Sequence, residues 1–155
     1  MKGFTLIELM MVMSMILILS GGAVATYLNF SKSQTVSNDA RSFVSEIERV
    51  RTMASSLQYP AGCDSLKGYE IKTTLIDSDL AGLTVTVKCS PADVVFPDIK
   101  VLAGSVFSLP FELTFLPGSG YLSAGTDYSI IIQNKNDDSL TNSMTIGAYG
   151  RVSNN

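Results

Sequence analysis

The chain has 155 residues, which is enough for one domain and hardly two. Its formal net charge is −3 and its isoelectric point is near 4.8, which argues against a general nucleic-acid-binding protein, because such proteins carry a basic face. It has no histidine, so the commonest metal ligand and the commonest general base are both absent.

The first thirty residues form an apolar segment that begins MKGFTLIELMMVMSMILILSGG. No charged residue lies between Leu9 and Ser31, and about 20 apolar helical residues cross the core of a bilayer. We therefore predict a membrane-spanning helix over residues 4–30. The carboxylate of Glu8 lies near its start; a charge at the centre of such a helix costs about 2.5–3.5 kcal/mol on insertion scales, and charges in these segments usually have a partner.

Two ordinary interpretations of this segment are a secretory signal peptide and a simple membrane anchor. A signal peptide would use Lys2 as its basic start, residues 9–19 as its apolar core and Ala23-Val24-Ala25 as its cleavage site. Neither interpretation gives Glu8 a role.

The stretch Gly3-Phe4-Thr5-Leu6-Ile7-Glu8 resembles the processing motif of the type IV pilin and pseudopilin family. The resemblance implies that residues 1–3 are a leader, that prepilin peptidase cuts between Gly3 and Phe4, and that the new amine of Phe4 is N-methylated. It also implies an assembly role for Glu8, whose carboxylate would meet the Phe4 amine of a neighbouring subunit. An unpaired charge in a low-dielectric filament core is costly, so this pairing would set the register of each incoming subunit.

The same resemblance implies a set of partners and a location. The partners are other pilin subunits in a homo- or hetero-oligomeric filament, the prepilin peptidase, the inner-membrane assembly machinery and, before assembly, the lipid bilayer. The chain would first be a single-pass protein of the inner membrane with its globular domain in the periplasm or outside the cell. After assembly it would lie in an extracellular pilus or a periplasmic pseudopilus.

The helical pattern continues past residue 30 as an amphipathic segment over residues 31–58. Apolar residues recur there at steps of four and three, and most of the charged residues lie off that stripe. The stripe consists of Val36, Ala40, Phe43, Ile47, Val50, Ala54 and Leu57. We predict one helix from Phe4 to about Gln58, interrupted at most by Ser20-Gly21-Gly22 and ended by Tyr59-Pro60-Ala61-Gly62.

Residues 59–155 are predicted to form a β-rich globular domain, because the apolar period there changes to two. A long helix followed by several strands predicts an α+β fold, in which an antiparallel sheet packs on the C-terminal half of the helix as in the type IV pilin roll. The expected strands, separated by turn-rich segments, are Tyr69–Leu75, Leu83–Cys89, Val94–Leu102, Glu112–Leu116, Tyr128–Gln133 and Met144–Arg151.

The two cysteines, Cys63 and Cys89, lie downstream of the membrane-targeting segment. If that part of the chain is exported, a disulfide between them is the natural expectation, and closing this loop would contribute roughly 3–4 kcal/mol. Two buried thiols are the alternative.

The C-terminal forty residues resemble, more loosely, the GspH/FimT-like minor pilins and pseudopilins. The resemblance rests on Phe115-Leu116-Pro117-Gly118-Ser119-Gly120 and on a closing Gly150-Arg151. Some of those minor pilins bind DNA through a G-R-x-R motif, but here Gly150-Arg151-Val152-Ser153 lacks the second arginine. One arginine neutralises few phosphates, so we do not expect DNA to be a partner.

No catalytic constellation, cofactor motif or metal-ligand set is visible, so we predict neither an enzyme nor a cofactor. Asp77-Ser78-Asp79 is better explained as a turn than as the start of a calcium loop, since Ala81 and Lys88 occupy later ligand positions. The predicted function is a structural subunit, a minor pilin or pseudopilin of a type IV pilus or type II secretion pseudopilus. The alternative is a membrane-anchored or secreted monomeric binding domain with an ordinary signal sequence.

Overall fold

The computed structural model describes residues 5–154, and the chain divides into two compact units, Met1–Gln34 and Thr35–Asn155. Helix α1 (Leu6–Ser55) contributes to both units and continues through Gly21-Gly22. Nine strands follow it: β1 (Ser65–Ile76), β2 (Asp79–Ser90), β3 (Val94–Val95), β4 (Ile99–Lys100), β5 (Ser105–Phe107), β6 (Glu112–Phe115), β7 (Tyr128–Asn134), β8 (Asp137–Ile146) and β9 (Val152–Asn154). The α+β class predicted from the sequence is therefore confirmed.

The strands form two antiparallel sheets, where the sequence suggested one. The first sheet has the order β3-β2-β1-β6, with β4 also paired to β2, and the second has the order β5-β7-β8-β9. Strands β1 and β2 are the longest pair, and Asp77 and Ser78 join them with φ values of +54° and +72°. Two positive φ values in a two-residue loop are those of a type I′ turn, which matches the twist of a hairpin.

The predicted apolar stripe of α1 is buried from Val36 to Ala54, but the end of the helix differs from the prediction. The helix stops at Ser55, and Leu57 is 47% exposed with φ +52°. The Gln58 amide donates to the Met53 carbonyl at 3.1 Å and the Leu57 amide donates to the Ala54 carbonyl at 3.3 Å. This pair of bonds is a Schellman cap, which satisfies the last carbonyls and turns Leu57 away from the stripe.

Two of the six predicted strands are broken in the structure. Residues 94–102 form β3 and β4 instead of one strand, because Pro97 between them has no amide to donate to a ladder. Residues 144–151 contain the end of β8 and a turn in which the Gly150 amide donates to the Gly147 carbonyl at 2.7 Å, and β9 follows. Strand β5 was not predicted, because three residues are too few to show a period.

The core of the second unit lies between α1 and both sheets. Phe43 of α1 contacts Phe107 of β5 and Phe111 before β6, with ring centroids 5.3 and 5.8 Å apart, and these two rings are 5.2 Å from each other. All three pairs are edge-to-face, the arrangement that aromatic quadrupoles favour. The three rings thus join the helix to residues of both sheets.

Candidate functional site

The residues predicted for processing and assembly lie at the start of the chain, and of these the structure describes Glu8. Gly3 and Phe4 are outside the described residues. Glu8 is exposed in the first turn of α1, and its amide donates to the Thr5 hydroxyl at 3.4 Å. The Leu9 amide donates to the Thr5 carbonyl at 3.2 Å, so Thr5 is the N-cap and Glu8 is three residues further on.

This cap was not recognised from the sequence, although its signal was present. Thr5-Leu6-Ile7-Glu8 has the S/T-x-x-E pattern of a capping box ahead of an apolar run. A carboxylate in the first turn is also favoured by the positive end of the helix dipole, by roughly 0.3–1 kcal/mol. Glu8 therefore has a local role in starting the helix, separate from any role in assembly.

The apolar side chains of residues 6–19 are exposed in the isolated chain. Their exposed fractions run from 49% for Val12 to 77% for Leu6. A contiguous apolar surface of this kind indicates contact with a partner or a membrane. Within residues 5–154, no helix meets the combined requirement of length and hydropathy for a bilayer crossing, so the membrane-spanning helix over residues 4–30 remains a prediction.

The two cysteines are joined in the structure. Cys63, in the loop after α1, is bonded to Cys89 near the end of β2, with the Cα atoms 5.4 Å apart. The Asp64 amide donates to the Ser90 carbonyl at 2.9 Å beside this bond. Together these contacts attach the segment that leaves the helix to the longest strand pair, so the bond has a structural place and no free thiol remains at either position.

Charged side chains support the same region from the outside. The carboxylate of Asp93 accepts a hydrogen bond from the Cys89 amide at 3.0 Å and lies 3.3 Å from the Lys88 ammonium. The Cys89 amide, and after it Lys88, hold the pKa of Asp93 below its usual value. The hydrogen bond to Glu70, 3.2 Å away, is the main cause that raises the pKa of Lys88.

Gly120 and Gly150, two glycines of the C-terminal pattern, both lie against Arg51 of α1. A Cβ on Gly120 would lie 3.2 Å from the Arg51 carbonyl oxygen, and one on Gly150 would overlap the Gly120 carbonyl oxygen and lie 2.9 Å from Arg51 Nε. Both residues also have positive φ, +66° and +75°, which L side chains rarely adopt. Close approach to the helix therefore explains why the pattern has glycine at both positions.

Two aspartates near the turn between β1 and β2 pair with lysines. Asp77 lies 3.4 Å from the Lys100 ammonium and Asp79 lies 2.5 Å from that of Lys135, so the hairpin turn between β1 and β2 is part of a lysine–carboxylate surface. Among residues 5–154, no group of three potential metal ligands is found.

Known proteins resemble this chain in its N-terminal motif and in its fold. Residues 1–24 match the family model of the prokaryotic N-terminal methylation motif. Two crystal structures of the type IV minor pilin FimU from Pseudomonas aeruginosa match the fold, with TM-scores of 0.52 and 0.58 and sequence identities of 18% and 19%. They cover 76% and 81% of this chain, and 90% and 92% of the FimU chains. No curated protein matches the chain.

The chain carries a prokaryotic N-terminal methylation motif, and its fold is similar to that of a type IV minor pilin. In this pilin-like chain the predicted site residues belong to two different units. Glu8 lies in the first unit with the methylation motif, whereas Cys63 and Cys89 lie in the second. The bond between Cys63 and Cys89 thus lies wholly within the globular unit.

Proposed function

We propose that the protein is a structural subunit of a type IV pilus-type filament. The observation that carries the proposal is the coincidence, in one chain, of an N-terminal methylation motif over residues 1–24 with a pilin fold over most of the length. Either feature alone would be weaker, because a short motif can arise by chance and a fold hosts many functions. The role is mechanical and not enzymatic.

Processing is the first step of the proposed pathway. Prepilin peptidase cleaves between Gly3 and Phe4, and the Phe4 amine is methylated. The chain is held in the inner membrane by residues 4–30 until it is assembled, with residues 59–155 on the outer side. The match of the N-terminal motif supports this step, and so does the disulfide between Cys63 and Cys89, which belongs in an oxidising compartment.

Assembly is the second step. The exposed apolar side chains of residues 6–19 pack against the same segment of neighbouring subunits, which removes them from solvent or lipid. The Phe4 amine of one subunit meets Glu8 of the next, so the pair of charges is buried together. Within this function we favour a minor subunit, a minor pilin or pseudopilin, because the Gly120 and Gly150 pattern resembles those families and FimU is a minor pilin.

The mature N-terminus tests the processing step. Intact-mass analysis of the chain from native membranes should give a mass that begins at Phe4 and carries one extra methyl group. A mature chain beginning at Thr26 would contradict the proposal, because it would show cleavage after Ala23-Val24-Ala25 by a signal peptidase.

The Glu8→Val variant tests the assembly step. Its expression and cleavage should be unchanged, since removing a charge from an apolar segment favours insertion. Its amount in sheared filaments should fall by two orders of magnitude or more, because an unpartnered buried amine costs about 3–5 kcal/mol. Asp138→Asn, which removes an exposed carboxylate from the hairpin of β7 and β8, is the control and should assemble normally. Wild-type recovery of Glu8→Val in filaments would rule out the assembly role of this carboxylate.

A further inference from the structure

Strand β6 is the last strand of its sheet, and its backbone bonds alternate between two sides. The Thr73 amide of β1 donates to the Phe111 carbonyl at 3.1 Å, and the Ser123 amide on the opposite side donates to the Thr114 carbonyl at 2.8 Å. The backbone N–H and C=O groups of residues 111, 113 and 115 therefore point towards β1, and those of residues 112 and 114 point away from it.

The chain itself covers only half of that outer edge. The Leu116 amide donates to the Tyr121 carbonyl at 2.8 Å, and Ser123 reaches Thr114, after which the chain turns away at Gly125 with φ +64°. Over residues 5–154, no backbone partner is found for the amide and carbonyl of Glu112 or for the amide of Thr114. Three consecutive ladder groups are thus left open at one end of β6.

A groove runs beside these open groups. It has a volume of about 260 Å³ and is lined by residues 112–114 of β6 and by residues 122–124, 126 and 128. A groove of this size next to an open edge has room for a short extended segment. The alternation of donor and acceptor along the edge matches a polypeptide backbone, and extended peptides add to a sheet through such backbone bonds.

The same unit has another edge strand, β9, at the end of the second sheet. The Gly147 amide donates to the Arg151 carbonyl at 2.8 Å, so residues 151 and 153 face β8 and the backbone groups of Val152 face away from it. Among the described residues, β9 pairs only with β8, so it is a second edge strand, different from β6. A contact between two different edges on neighbouring subunits is heterologous, and such contacts continue into open helical filaments instead of closing a dimer.

We propose that the open edge of β6, at Glu112 and Thr114, receives an edge strand from a neighbouring pilin-like subunit in the filament. The incoming strand is an edge strand like β9 of the neighbouring subunit. It pairs with β6 through backbone hydrogen bonds beside the groove at Tyr128. This proposal rests on the proposed function, because it requires that the protein be assembled next to other subunits. It adds a docking site on the globular unit to the packing of the N-terminal segments.

A photo-crosslinking residue introduced at Glu112 tests the docking site in assembled filaments. Irradiation should give an adduct of two subunits, and mass spectrometry should place the crosslink on an edge strand of a pilin-like chain. The matched control carries the same residue at Asp138 and should not give that adduct. Filaments that contain the Glu112 variant but yield no adduct, or an adduct on a protein that is not a filament subunit, would overturn the proposal.

A backbone variant provides a second and independent test. Thr114→Pro removes an amide that faces away from β1, so the internal ladder is kept, and proline is tolerated on edge strands. Its recovery in filaments should fall at least tenfold while its melting temperature stays near that of the wild type. Leu113→Pro removes an amide that faces β1 and should instead lower the melting temperature. Normal assembly of a folded Thr114→Pro chain would contradict strand addition, whereas absence of the wild type from filaments would contradict the proposed function itself.

Discussion

At the scale of single residues, several polar side chains in this chain act by binding backbone amides. Thr5 caps the start of α1, Asp93 binds the amide of Cys89, and Asp39 binds two amides of the loop between β4 and β5. Each of them supplies an acceptor where the backbone has no ladder or helical partner. Such roles decide local order without contributing apolar area.

Asp39 gives the sharpest stability prediction of this kind. Its side chain is buried, and its two carboxylate oxygens accept hydrogen bonds from the amides of Ala103 at 3.1 Å and Gly104 at 3.0 Å. Asp39→Ala leaves both amides without this acceptor, so we expect the free energy of unfolding to fall by about 1–3 kcal/mol. Urea titration would measure the loss, and Ser42→Ala, an exposed position on the same helix, should change the free energy little.

Asp93 gives a prediction that depends on pH. Because its pKa is lower in the folded chain, its contribution to stability is present above its ordinary pKa and is lost as the pH falls through the folded value. Asp93→Asn should therefore melt at a lower temperature than the wild type at about pH 7, and the difference should shrink at about pH 2. A difference that stays constant over this range would show that the charge of Asp93 is not the cause.

The sequence analysis did not predict these side-chain roles, and the reasons differ. The Thr5 cap is a local pattern and could have been found. Asp39 binds amides more than sixty residues away in the chain, and nothing in its neighbourhood marks it as different from the exposed charges of the helix. The contact depends on how the helix packs, which a single sequence does not reveal.

At the scale of elements, sequence periodicity predicted the long helix and the long strands and missed the short strands. The stripe of α1 and the alternation in β1 and β2 repeat over many residues, so the pattern predicted most of the buried faces, with Leu57 and Leu75 as exposed exceptions at the ends. The two-residue strands β3 and β4 have no measurable period, and Pro97 between them was overlooked as a breaker. The division into two sheets follows from pairing between distant strands, which pattern alone does not determine.

At the scale of elements, the disulfide between Cys63 and Cys89 gives a stability prediction. Cys63 and Cys89 are 26 residues apart, and the loop-closure estimate for such a bond is about 3 kcal/mol. The double variant Cys63→Ser with Cys89→Ser should lose roughly that amount in denaturant unfolding, without leaving a free thiol. Adding a reductant should destabilise the wild type by a similar amount and leave the double variant unaffected; equal stability of the two unreduced proteins would show that the bond is dispensable.

At the scale of the whole molecule, the division at Gln34 separates two kinds of surface. The first unit exposes apolar side chains, and the second buries its own around Phe43 and the two sheets. The core of the second unit includes helical residues from Val36 onward, so the part of α1 after residue 34 belongs to the globular unit in a packing sense. This boundary lies four residues after the predicted boundary between residues 30 and 31.

A truncation at this boundary tests the independence of the second unit. A chain starting at Thr35 keeps Val36, Asp39 and Ala40 and should fold as a monomer in solution, as judged by light scattering and a cooperative thermal transition. A chain starting at Arg41 loses those three contacts and should be less stable by about 3 kcal/mol or more, given the burial of Val36 and the two amides bound by Asp39. Equal melting temperatures would place the start of the core further along the helix.

The order of the strands along the chain has a consequence for how the protein becomes native after synthesis. The sheet built from β1, β2, β3, β4 and β6 is complete by residue 115, and its hairpin already contains Cys89 opposite Leu66. The other sheet also requires β9, which lies further along the chain at Val152–Asn154. During synthesis from the amino end, the first sheet and both cysteines are therefore available before the second sheet can be completed.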